Sequence, residues 1–108
     1  MSLSTHVLDA TTGRPAVGLA VGFESCTDDG WRTLGEAVTD ADGRVRELGR
    51  PGAGVHRIVF DTGGYFARLG VVAFYPEVAV TFTVEDPDAH HHVPLLLSPF
   101  AYSTYRGS

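Results

Sequence analysis

An all-β sandwich or barrel of about eight short strands is the fold class that the sequence predicts, and three observations carry it. Apolar residues recur at every second position in several separate runs, turn-forming residues punctuate the chain at short intervals, and only one weak helical signal is present. With 108 residues, 44% of them hydrophobic, the chain has the size and apolar content of one domain spanning residues 1–108. A core of that size needs neither metal nor disulfide to fold.

The elements follow in order. Thr5 to Asp9 opens the set, with His6 and Leu8 on one face and Val7 and Asp9 on the other. Thr12-Gly13-Arg14-Pro15 reads as a turn. From Val17 through Leu19 and Val21 to Phe23 the apolar residues stand two apart with small ones between, as a half-buried strand requires. Beyond Asp28-Asp29-Gly30 comes a less regular strand, Trp31 to Val38. Asp40-Ala41-Asp42-Gly43 then turns the chain into Arg44 to Leu48, and Arg50-Pro51-Gly52 precedes Val55 to Phe60. Asp61 or Thr62 caps a helix of a turn or two over Tyr65 to Leu69, which Gly63-Gly64 weakens and Gly70 ends. Val78, Val80, Phe82 and Val84 alternate with Thr81 and Thr83. After Asp86-Pro87-Asp88, His90 to Leu97 and Ala101 to Arg106 complete the count.

Composition removes several function classes. The formal net charge is −5, which offers no footprint for nucleic acid or for an anionic membrane surface. All eight basic residues are Arg; with no Lys in the chain, a side-chain Schiff base and a phosphate-binding P-loop lysine are excluded. Asn and Gln are also missing, so no amide side chain can build an oxyanion hole. The single Cys26 cannot form an internal disulfide, and no leader or spanning segment is recognisable, so a cytoplasmic protein is expected. Acidic neighbours in Thr27-Asp28-Asp29 make Cys26 a poor nucleophile, and no Gly-x-Ser-x-Gly elbow supports a serine triad.

Histidine and arginine remain as the chemical supply. A lone strand histidine such as His6 is more often a structural hydrogen-bonder than a catalyst, and Arg44 with Arg46 also fits an edge strand guarded by charge. His90-His91-His92 is the densest constellation. Strand parity puts His90 and His92 on one face and His91 on the other, where the first and third can act together or, with His6, reach the ligand count of a catalytic zinc. The tail, Tyr102-Ser103-Thr104-Tyr105-Arg106-Gly107-Ser108, is aromatic and β-branched almost to its end and is expected to be ordered.

These segments resemble the transthyretin-related family. The matching residues are Thr5-His6-Val7-Leu8-Asp9 with Gly13 and Pro15-Ala16, then Thr39-Asp40-Ala41-Asp42-Gly43-Arg44, Phe60-Asp61-Thr62 with Tyr65-Phe66, and Phe74-Tyr75-Pro76. The strongest are His90 to Phe100 and the ending Tyr105-Arg106-Gly107-Ser108, which marks the 5-hydroxyisourate hydrolase branch and is absent from the hormone carrier. The resemblance implies an eight-stranded prealbumin-like β-sandwich with one short helix, assembled as a homotetramer with sites between subunits. It implies a catalytic set of His6, Arg44 and His92, and substrate contacts from His6, Arg44, Tyr105, Arg106 and Ser108. The implied reaction is hydrolytic opening of 5-hydroxyisourate in urate degradation, with no cofactor and no metal. His6 or His92 would deprotonate water while Arg44 stabilises the oxyanion.

One departure from the family pattern is His91, where tyrosine is usual. Parity turns it away from His90 and His92, so packing rather than catalysis should feel the change. It also enlarges the local capacity for adventitious zinc. Two rivals are a transthyretin-like carrier without catalysis and a metal-dependent hydrolase built on His6, His90 and His92.

Overall fold

The computed structural model describes residues 2–108. Two sheets face each other across one hydrophobic core, and nearly every strand is built from the period-2 alternation. The first sheet is organised around β1 (Leu3–Asp9), which pairs in parallel with β8 (His91–Leu97) on one side. Its other side is shared by two antiparallel partners, β5 (Arg44–Gly49) against its beginning and β2 (Arg14–Pro15) against its end. β9 (Tyr102–Thr104) lies antiparallel to β8 and ends the sheet. The second sheet has the order β4 (Gly30–Val38), β3 (Ala20–Thr27), β6 (Gly54–Phe60), β7 (Val78–Val84), all antiparallel.

The inward set is the apolar half of each alternation. Leu3 and Val7, Val21 and Phe23, Ile58 and Phe60, and Leu95 and Leu97 are all buried. Burying a side chain of this size is worth about 1.5–3 kcal/mol relative to exposure. α1 (Thr62–Arg68) is capped by Asp61, whose carboxylate accepts the Gly64 amide, and ends at Gly70 in the left-handed region. Its Tyr65 and Phe66 close one end of the core.

A buried hydrogen bond ties that helix to β1. Tyr65 donates its hydroxyl to Asp9 Oδ2 at 2.8 Å, while Asp9 Oδ1 accepts the Thr11 amide. Burial first, and then Asp9, push the Tyr65 phenol up to about 12. Tyr65→Phe leaves one oxygen of a buried carboxylate without its donor and should cost roughly 1–3 kcal/mol, read as a lower urea midpoint with an unchanged slope.

Three local differences from the sequence reading have simple causes. Arg14–Pro15, expected as turn only, folds back onto Leu8 and Asp9 as β2, an edge position where the missing proline N–H costs no ladder bond. It is therefore a ninth, two-residue strand beside the expected eight. Val17 falls outside β3 and is exposed; Gly18 at φ +76° breaks the run, and the buried Thr39 hydroxyl fastens the loop by donating to Ala16 and accepting from Leu19. The irregularity of β4 reflects an edge strand whose Trp31 and Leu34 stay exposed, Trp31 lying 4.2 Å beneath the Arg57 guanidinium. A register shift opposite Phe23 and Glu24 adds to it.

Candidate active site

The outer face of the first sheet carries the polar half of the alternation, and there the turn before β5 delivers Arg44. Asp40 Oδ1 accepts the amides of Asp42 and Arg44 at 2.8 and 3.0 Å, and these bonds, the Arg44 amide foremost, hold the Asp40 carboxyl below the usual carboxylate range. Gly43 makes the turn at φ +73°. A Cβ there would stand 2.5 Å from the Val7 carbonyl oxygen, so the residue before Arg44 has to be glycine on both counts. Antiparallel register then sets Arg44 directly across from His6 on β1.

On the other side of β1, the parallel register sets Ser4 beside His92. The buried Ser4 hydroxyl lies 2.7 Å from His92 Nδ1 and 3.0 Å from His90 Nε2, and the Ser2 hydroxyl lies 2.7 Å from His90 Nδ1. The two imidazoles are nearly parallel, with centroids 6.5 Å apart. His91 turns inward as parity requires; it is buried, its Nδ1 3.0 Å from the Ala89 carbonyl oxygen. Tyrosine at that position would lie on the opposite face of β8 from His90 and His92.

The tail reaches the same place by continuing the β8–β9 register. Thr104 pairs with Leu95, and by the same count Gly107 bridges His92, its amide donating to the His92 carbonyl at 2.8 Å. A side chain at position 107 would strike the His92 ring, so Gly107 lets the tail lie against that imidazole. Ser108 then joins Ser4, Arg44, Arg46, His90 and His92 around a cleft of about 260 Å³.

Not all expected residues meet there. His6 stands next along β1 and does not line the cleft, although it lies near enough to bear on the charge of His92. Tyr105 and Arg106 line a second cleft of about 240 Å³, together with Val80, Phe82 and His91; His92 borders both clefts. Pro94, opposite Tyr105 in the register, has no N–H to pair, and the ladder opens between Thr104 and Gly107. Ser4 escaped the sequence reading, though its signal was available: it precedes His6 by two residues and so shares its face.

Electrostatically the cleft favours a neutral base beside a fixed cation. Burial foremost, then the positive charge of Arg44, with smaller contributions from His6 and His90, hold the His92 imidazole below its ordinary range. Three of the four ring nitrogens of His90 and His92 are engaged by Ser2 and Ser4, and the fourth is His92 Nε2. Among the described residues no group of three His, Cys, Asp or Glu side chains is arranged to hold a metal ion. Another depression, of about 540 Å³ on the outer face of the second sheet, carries Glu24, Glu36, Asp61 and Glu77 and has no histidine or arginine in its lining.

Comparison with known proteins gives the family and the fold. The family model described as HIUase/Transthyretin family matches residues 3–107. A 5-hydroxyisourate hydrolase of Salmonella dublin is 46% identical over 109 residues, covering 98% of this chain and 80% of that protein. The structure of Klebsiella pneumoniae 5-hydroxyisourate hydrolase superposes with a TM-score of 0.88 at 37% identity and covers both chains fully. Sea bream transthyretin in complex with thyroxine superposes with a TM-score of 0.91 at 35% identity, over 99% of this chain and 95% of that one. Backbone similarity is thus high toward both the hydrolase and the thyroxine-bound transthyretin. By sequence and by fold, the chain belongs to the HIUase/Transthyretin family.

Proposed function

We propose that this chain hydrolyses 5-hydroxyisourate to 2-oxo-4-hydroxy-4-carboxy-5-ureidoimidazoline, a step of urate degradation. The observation that carries the reading is the meeting of Arg44, His92 and Ser108 in one polar cleft, in a chain 46% identical to a 5-hydroxyisourate hydrolase. His92 Nε2 takes a proton from water as the oxygen attacks a ring carbonyl. Arg44, charged at any working pH, faces the oxyanion, and the ring nitrogen leaves with a proton as the C–N bond breaks. His6, across from Arg44, serves substrate binding. An apolar ligand would leave this polar lining unpaired, which weighs against a carrier.

The site is proposed to be completed in a homotetramer. Val72, Phe74 and Phe100 are 65–79% exposed, Tyr75 packs edge-on against Tyr102 of β9, and Tyr105 and Arg106 lie apart from Ser108 within one protomer. Apolar surface of this kind fits contacts with further copies, which would bring those tail residues to a shared site. A cytoplasmic location fits the free, exposed Cys26.

The test generates 5-hydroxyisourate in situ from urate with urate oxidase and follows its absorbance decay. Acceleration that survives EDTA is the expected result. Decay at the spontaneous rate from a folded protein would turn the reading to a carrier, and loss of activity with EDTA would turn it to a metal-dependent hydrolase.

A further inference from the structure

A proton taken up at His92 has an awkward place to stay. That imidazole is half-buried and shares the cleft with the Arg44 guanidinium, whereas His90, one hydroxyl away, is exposed. Both burial and a like charge penalise an imidazolium, and the penalty falls when the charge stands in water.

We propose that Ser2, His90, Ser4 and His92 form a proton relay in which Ser4 is a positioning residue that fixes the His92 tautomer and hands its proton to His90. This rests on the reading of the chain as a 5-hydroxyisourate hydrolase. A hydroxyl carries one proton, so Ser4, in contact with two imidazoles, donates to one and accepts from the other. The order that leaves His92 Nε2 basic is His92 Nδ1–H to Ser4 Oγ, Ser4 Oγ–H to His90 Nε2, and His90 Nδ1–H to Ser2 Oγ. When Nε2 takes a proton from the attacking water, the Nδ1 proton passes to Ser4 Oγ as the Ser4 proton passes to His90 Nε2. His92 is then neutral and carries its hydrogen on Nε2; as the leaving nitrogen takes that hydrogen, the Ser4 proton returns to His92 Nδ1 and the His90 Nε2 proton returns to Ser4. Between the two transfers the positive charge stands on exposed His90, and the return by the same path restores the starting tautomers. No bond other than O–H and N–H changes, and no co-reactant is needed. The hydroxyl is buried and satisfied on both sides, which a mere packing serine does not require.

Ser4→Ala removes both bonds while keeping the strand's volume nearly unchanged, and Ser4→Thr keeps the hydroxyl. In Ser4→Ala kcat should fall about tenfold or more, a part of the 100- to 10,000-fold that general-base catalysis supplies, with KM unchanged. Ser4→Thr should restore most of it. Nitrogen-15 NMR of the neutral His92 side chain should show hydrogen on Nδ1 in the unaltered protein and on Nε2 in Ser4→Ala. His90→Leu, at an exposed position, should lower kcat in the same direction. A wild-type kcat in Ser4→Ala, or a His92 tautomer that is the same in both proteins, overturns the relay. The NMR readout needs no substrate, so absence of hydrolysis in the unaltered protein would overturn the functional reading and still leave the relay decided.

Discussion

Replacing His92 with alanine should lower kcat for 5-hydroxyisourate by about 100- to 10,000-fold while leaving the circular dichroism and thermal transition close to those of the unaltered chain. The size of the effect follows from what the ring does. It is the imidazole whose Nδ1 is held by a buried hydroxyl, and in the proposed tautomer Nε2 takes the proton of water. The fold should tolerate the loss because the ring points away from the core and the β8 backbone keeps its ladder to β1. Stopped-flow decay of the substrate absorbance measures the change. A loss smaller than tenfold would remove His92 as the base and move that role to His6.

Arg44→Ala should lower kcat by about 100- to 1,000-fold, the range for removing a donor aimed at a developing oxyanion. A second readout separates charge from packing. In the unaltered protein His92 titrates below the ordinary histidine value of about 6.5, so the acid limb of kcat/KM should lie at correspondingly low pH, with activity rising as the ring loses its proton. Removing the Arg44 charge removes a like-charge repulsion, so His92 holds its proton to higher pH and its NMR titration midpoint should rise. The rise is partial because burial, the larger cause, remains. An unchanged midpoint together with full activity would remove Arg44 from the site. Arg44→Lys should recover the midpoint better than the rate, since ammonium supplies charge without the planar fork.

Much of the fold was legible because alternation and burial are the same fact seen twice. Val78 and Val84, Leu95 and Leu97, and Val7 with Asp9 face inward as period 2 demands. The turn before Arg44 was legible through its Asp-x-Asp-Gly chemistry, and the division of the three histidines through parity. Other features depend on partners distant in sequence. Arg14–Pro15 becomes a strand only because Leu8 and Asp9 offer an edge, and Ser4 matters only because β8 sets His92 beside it. The tail residues were read as one cluster, but within the single chain the ladder opens at Pro94, and Tyr105 and Arg106 line another cleft than Ser108. The site was thus legible as a list of residues before it was legible as a geometry.

The parallel pairing of β1 with β8 also bears on how the molecule comes into being. Thr5 bonds Val93 across 88 positions, so the central strand of the first sheet must wait for almost the whole chain before its ladder can close. Such non-local pairing is slow, with folding expected in milliseconds to seconds rather than microseconds. During synthesis Leu3 and Val7 have to be shielded by transient contacts or chaperones until β8 emerges from the ribosome. Because Ser4 meets His92 at that same closure, catalytic competence should arrive together with the last folding event, and no partly folded form should turn over substrate.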